Sequence, residues 1–195
     1  MEAKWRAQIL RVGIAFVLVA TSLPAQTETF APANDVSFNI FTERHRYKAG
    51  ERIALHYRAT NISNKSLFVP RESEAKCPAN PHLWAWFEDS SGRHFAPGYG
   101  GSCSPSINQK TVSERMSNEA VLLKPGEHLD GTLQMDTTLF GGLKPGAYRI
   151  EAVLSGWAEE KFSDSERSEL ARMGSPFMRG EVPNSINITL TPNGK

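Results

Sequence analysis

The sequence predicts one mainly β domain folded as an antiparallel β-sandwich. Three observations lead there: apolar residues recur at every second position in a series of short segments, Lys-Pro-Gly turns join such segments, and no helical run between them is long enough for repeated βαβ crossovers. The period is that of strands with one buried face, and the turns are the chemistry of antiparallel neighbours.

The chain opens differently. Lys4, Arg6 and Arg11 form a positive start, Val12 to Ala20 follows as an uncharged apolar block, and the polar stretch TSLPAQT breaks it. That order is the n-region, h-region and cleavage region of a secretory signal. The apolar block is far below the roughly 18 residues of a membrane span, so no span is expected in the mature form. Cleavage is expected after Ala25, with Ser22 the alternative because Leu23 is larger than the small residue usual three places before a cut. No cysteine near the cut offers a lipid acceptor. The expected organisation is therefore a signal peptide over 1–25, an exposed N-terminal segment over 26–32 and a sandwich domain over 33–192, in a protein exported to the periplasm or beyond the cell.

Within the domain, Val36, Phe38 and Ile40 make the first alternating set, and Ile53, Leu55, Tyr57 and Ala59 a longer one with Arg52, His56, Arg58 and Thr60 on its other side. The alternation returns at Leu129 to Met135, Tyr148 to Leu154 and Ile186 to Leu190, with shorter candidates at Ser66 to Val69, Leu83 to Glu88 and Ala120 to Leu123. Lys124-Pro125-Gly126-Glu127 and Lys144-Pro145-Gly146-Ala147 place Pro before Gly as in type II turns, and Ala49-Gly50-Glu51 and Asp89-Ser90-Ser91-Gly92 are further turn signals. One short helix is expected in a loop insertion over 164–173, started by Ser163 with Glu166 as a capping box and stopped by Gly174 before Pro176. Trp157, Phe162 and Phe177 around it are expected to seal it onto an end of the sandwich. The region from Arg71 to Asn118 reads as irregular apart from the Trp84 strand.

Composition limits the partners. Removal of residues 1–25 takes the formal charge from +1 to −1, a near-neutral balance with no whole-molecule field for nucleic acid or anionic lipid. The densest basic run, Arg44-His45-Arg46-Tyr47-Lys48, lies beside a turn and reads as a solvated strand end. Cys77 and Cys103 are the only cysteines, and an oxidising compartment favours their pairing. Such a bridge would tie together the two halves of the irregular region and stabilise the fold by about 3.5 kcal/mol in the chain-entropy model.

Tyr47-Lys48-Ala49-Gly50-Glu51 leading into a strand that ends at Thr60-Asn61, the Phe87 to Gly92 hairpin, Leu123-Lys124-Pro125-Gly126-Glu127, and Leu143 to Tyr148 with its following strand carry a family resemblance. Over residues 36–155 the chain resembles the bacterial intracellular proteinase inhibitor family, whose domains are immunoglobulin-like β-sandwiches. The resemblance implies an immunoglobulin-like fold and a proteinase among the conceivable partners. The export signal, the cysteine pair and the helical insertion depart from the family. The matched positions are turns and strand starts, so no inhibitory residue is carried over.

His45, His56, His82, His94 and His128 show no metal-ligand spacing, and no G-x-S-x-G elbow occurs. Glu159-Glu160 and Glu166 with Glu169 read as solvated carboxylates, and Gly98-Tyr99-Gly100-Gly101 lacks the Lys of a phosphate loop. No cofactor and no metal are expected. The candidate binding residues are Trp84 and Trp86 in Leu83-Trp84-Ala85-Trp86-Phe87, a strand with two apolar faces. Burial of both faces between sheet and loop is the expectation, and an exposed Trp platform for a sugar ring or a partner protein is the functional alternative. Asn61-Ile62-Ser63 and Asn187-Ile188-Thr189 match the glycosylation triplet.

A binding module that engages a protein through loops or the Arg71 to Asn118 insertion is the favoured function, because sandwiches carry function on loops. The alternatives are a hydrolytic or carbohydrate-modifying enzyme whose site is assembled from distant residues, and a carbohydrate-binding module.

Overall fold

The computed structural model describes residues 29–71, 82–97 and 111–193. In chain order the elements are β1 (Phe30–Ala31), β2 (Val36–Thr42), β3 (Arg46–Lys48), β4 (Arg52–Asn61), β5 (Leu67–Pro70), β6 (Leu83–Asp89), β7 (His94–Phe95), α1 (Val112–Glu119), β8 (Ala120–Leu123), β9 (His128–Asp136), β10 (Gly146–Ser155), α2 (Asp164–Ala171), β11 (Phe177–Met178) and β12 (Glu181–Thr191). They form an all-β, immunoglobulin-like sandwich. One layer is a five-stranded sheet in the order β3-β12-β10-β6-β7; the other is a three-stranded sheet, β2-β4-β9, flanked by a four-stranded sheet, β1-β11-β5-β8.

The two-residue period explains the layering. Phe38, Ile40, Ile53, Leu55, Tyr57 and Met135 point inward from the three-stranded sheet and meet Phe87, Ile150, Leu154, Ile188 and Leu190 from the five-stranded one in a single apolar cluster. Antiparallel registers run unbroken from Gly146↔Leu190 to Ser155↔Glu181 and from Tyr148↔Asp89 to Leu154↔Leu83. A one-residue slip would turn the polar set of any of these strands into the core, so the pattern fixes the register.

The turns are built by two mechanisms. Gly126 has φ +79°, as a type II turn requires, and Glu127 donates its N–H to the Lys124 carbonyl at 3.0 Å. The Lys144-Pro145-Gly146 corner instead leads directly into β10 and is held by Tyr148. Its hydroxyl donates to the Lys144 carbonyl at 2.9 Å and accepts the Lys144 N–H at 3.1 Å. That is the tyrosine corner of immunoglobulin-like sandwiches.

A second cluster closes one end of the molecule. Trp157, Phe162 and Phe177 pack with Phe30, Met116 and Leu170, so the aromatics do seal the expected helix, α2, onto the sandwich. The Ser163–Glu166 capping box is formed, with Ser163 N–H to Glu166 Oε2 at 2.8 Å. Three features differ from the sequence expectation. The irregular Arg71 to Asn118 region contains a second helix, α1, capped by Thr111 with Glu114. Phe30 and Ala31, expected in an exposed segment, are 3% and 0% exposed because β1 pairs with β11. The pairs β1–β11, β11–β5 and β12–β3 are parallel; they involve one to three residues each, at strands reached by long connections rather than hairpins. The signal peptide, Cys77, Cys103 and Gly98 to Gly101 lie outside the described residues.

Candidate functional site

In β6 the alternation sends Leu83, Ala85 and Phe87 into the core and Trp84, Trp86 and Glu88 to the outer face of the five-stranded sheet. Trp84 is 45% exposed and Trp86 half-buried. The expected burial of both faces is thereby corrected: β6 lies between β10 and β7 in the plane of the sheet, and the outer side of Trp84 faces water.

Register places the neighbours. Val153 of β10 lies opposite Trp84, and Pro183 of β12 lies opposite Val153, which makes an apolar row across three strands. In the next row Glu151 stands between Trp86 and Ser185, and beyond it Arg149 stands between Glu88 and Asn187. On the other side of the apolar row Glu181 pairs with Ser155, whose hydroxyl donates to Glu181 Oε1 at 3.4 Å. An exposed apolar row thus has a charged margin on both sides.

The margin is held in place by ion pairs. Arg149 Nη2 donates to both oxygens of Glu88, at 2.9 and 3.0 Å, and lies 2.8 Å from Glu151 Oε1. His94 Nε2 is 3.2 Å from Glu88 Oε2, and its ring stacks on Trp86 with centroids 6.0 Å apart. The Arg149 hydrogen bond holds the Glu88 carboxyl below its usual range and raises Arg149 in turn. Trp86 Nε1 is buried with no hydrogen-bond partner among the described residues.

The outer face of the three-stranded sheet has a different character. Arg58 makes two hydrogen bonds to Asp130, at 2.7 and 2.9 Å, Arg52 bonds Asp136 at 3.3 Å, and His56 bonds Thr132 at 2.9 Å. Arg58 and Arg52 thus each have a cross-strand carboxylate there. Its exposed aromatic, Phe41, stacks on the His56 ring at 5.2 Å.

Other sequence candidates are dispersed. Among the described residues no three His, Cys, Asp or Glu side chains converge as metal ligands. Glu159 bonds Arg179 at 2.5 Å, and Glu166 closes the α2 cap. An open concavity of about 490 Å³ runs past Trp157, Glu159, Arg179 and Glu181, in which Arg179 is paired with Glu159. Asn61 is wholly buried with its amide committed to Lys65 and Leu123 carbonyls, so the first glycosylation triplet is structural; Asn187 is exposed on β12. Sequence reasoning did not single out Val153, Pro183, Arg149 and Glu151. The usable signal was parity, opposite to the buried set Tyr148, Ile150, Ala152 and Leu154 in β10 and to Ile188 and Leu190 in β12.

No family model matches the chain, and no curated protein matches it. Solved structures similar to it include a β-glucosidase from Erythrobacter marinus, at 14% identity and TM-score 0.41, covering 80% of this chain and 15% of that one. A PapD-like domain of human CEP192 aligns at 11% identity and TM-score 0.35, over 95% of this chain and all of that domain. AvmM, described as catalysing macrocyclization in alchivemycin A biosynthesis, aligns at 11% identity and TM-score 0.39, over 88% and 98% of the two chains. The chain spans only about 15–16% of the β-glucosidases it matches. At these values the likenesses bear on neither ligand nor activity.

Proposed function

We propose that this protein is an exported, non-catalytic binding module that engages a partner protein through the outer face of its five-stranded sheet. The observation that supports it is Trp84, 45% exposed beside Val153 and Pro183 in a row bordered by charges. Singly exposed apolar residues are ordinary, but a contiguous apolar row with a polar margin and a tryptophan in it is where interface energy concentrates. The sheet supplies rigidity, so little order has to be gained on binding. A proteinase is one candidate partner, on the resemblance noted above.

The test compares the mature chain with its Trp84→Ala variant, both immobilised and offered the extracytoplasmic protein fraction of the producing cell. The expected result is a retained protein whose affinity falls by about thirty-fold in the variant, the size of an aromatic hot spot. Equal retention by both would refute the assignment of the face. A panel of proteinases assayed with each chain decides whether binding is inhibitory, and turnover of a hydrolase or glycosidase substrate panel would favour the enzymatic alternative.

A further inference from the structure

The charges around Trp84 are not balanced. Glu181 borders the apolar row on one side and Glu151 and Glu88 on the other; among the described residues Arg149 is the guanidinium that pairs with any of these three, His94 lies 3.2 Å from Glu88, and Arg179, near Glu181, is paired with Glu159 instead. Arg149 is spent on holding Glu88 and Glu151 in position, since its Nη2 contacts both. Glu151 stands directly opposite Trp86 and one step diagonally from Trp84, a spacing of about 5 and 7–8 Å for neighbouring strands. A side chain laid along the Trp84 indole therefore ends beside a carboxylate.

We propose that the face recognises its partner through a basic side chain, an Arg or Lys of an extended segment whose stem packs on Trp84 and whose charge meets Glu151. The inference rests on the assignment of this face as the binding surface and adds the chemistry of the occupant. Tryptophan is the best aromatic face for a cation, and a guanidinium or ammonium also has an aliphatic stem to cover Val153 and Pro183. An acidic segment would meet an excess of carboxylates. A neutral sugar could stack on Trp84 but would leave the surplus charge unmatched.

The probe is a library of random dodecapeptides displayed on phage, selected on the mature chain and counter-selected on the Trp84→Ala chain. The expected result is enrichment of Arg or Lys at one fixed position. The enriched sequence, made as a synthetic peptide, should lose about five-fold in affinity toward the Glu151→Gln chain, as a partly exposed ion pair would. It should lose affinity as salt rises, and lose most of it when its own Arg or Lys is changed to Gln. Urea unfolding of each variant confirms that the fold persists. If peptides are enriched against Trp84→Ala but are neutral or acidic, or bind the Glu151→Gln chain equally, the face is a binding surface and the basic-residue inference falls. If no peptide distinguishes the wild type from Trp84→Ala, or a glycan array is bound instead of peptides, the inference and the protein-binding reading of the face both fall.

Discussion

Replacing Trp84 and Phe87, three residues apart on one strand, by Ala should have opposite consequences for stability and binding. Phe87 is 0% exposed, packs edge-on against Phe140 with centroids 4.8 Å apart, and faces Tyr148 at 6.1 Å. Its truncation leaves a cavity among rigid aromatics and should cost about 3–5 kcal/mol. Trp84 already has 45% of its surface in water, and removing its outward indole leaves no cavity. The expected cost is about 1–2 kcal/mol, from strand preference and the covered part of the ring. With a urea slope of about 2 kcal/mol per M, the unfolding midpoints of the two variants should differ by about 1 M. Tryptophan fluorescence reports the transition for Phe87→Ala, and circular dichroism serves for both. A Trp84→Ala midpoint as low as that of Phe87→Ala would mean that the indole is core, and the reasoning for an open binding face would fail.

The remaining predictions concern the scaffold. Asn61 donates from Nδ2 to the Lys65 and Leu123 carbonyls at 2.8 and 2.9 Å, so Asn61→Asp sets an acceptor against two acceptors and should cost about 2–6 kcal/mol at pH 7. Part of that difference from wild type should vanish on acidification, when the protonated carboxyl regains a donor; a neutral effect at pH 7 in urea unfolding would contradict it. Glu51, Glu88, Asp89, Asp130 and Asp136 are all held below their usual range, Glu51 first by the Lys48 N–H, Glu88 and Asp130 by Arg149 and Arg58, and Asp89 and Asp136 by the Ser91 and Thr138 hydroxyls. Their stabilisation is full above the unfolded values near about pH 4 and is lost as pH falls through the lower folded values, so the urea midpoint should drop on the acid side and less so in Asp130→Asn. A midpoint independent of pH down to about 3 would exclude this contribution. If the chain is exported as proposed, Cys77 and Cys103 should be paired, which intact mass reads as the loss of two hydrogen atoms relative to the reduced chain; two freely alkylated thiols would show otherwise.

The long strands were legible because seven or more residues of alternation leave little choice of face, as in β4 and β10. The strands β1, β7 and β11 were not, since two residues carry no period and their pairing is decided by where distant segments meet. Thr111-Val112-Ser113-Glu114 held the capping signature of α1, and Val112, Met116 and Ala120 a narrow i, i+4, i+8 apolar stripe, but two turns of it in an otherwise polar run did not stand out as a helix. The candidate site was half legible. Two tryptophans on one face of a strand were visible, and the face that β10 keeps polar was visible, but only the pairing of β6 with β10 shows that these are one surface. Pairing between strands separated by more than fifty residues depends on packing that local sequence does not encode.

The central claim is that the outer face around Trp84 is the contact surface. Hydrogen exchange and side-chain chemical shifts of the mature chain, recorded free and bound to its captured protein partner, test it most directly. The expected result is perturbation confined to Trp84, Trp86, Glu151, Val153 and the β12 segment around Pro183, with the β2-β4-β9 face unchanged. Perturbation concentrated on Phe41, His56 and Arg58, or on the α1–α2 end of the molecule, with Trp84 unmoved, would contradict it.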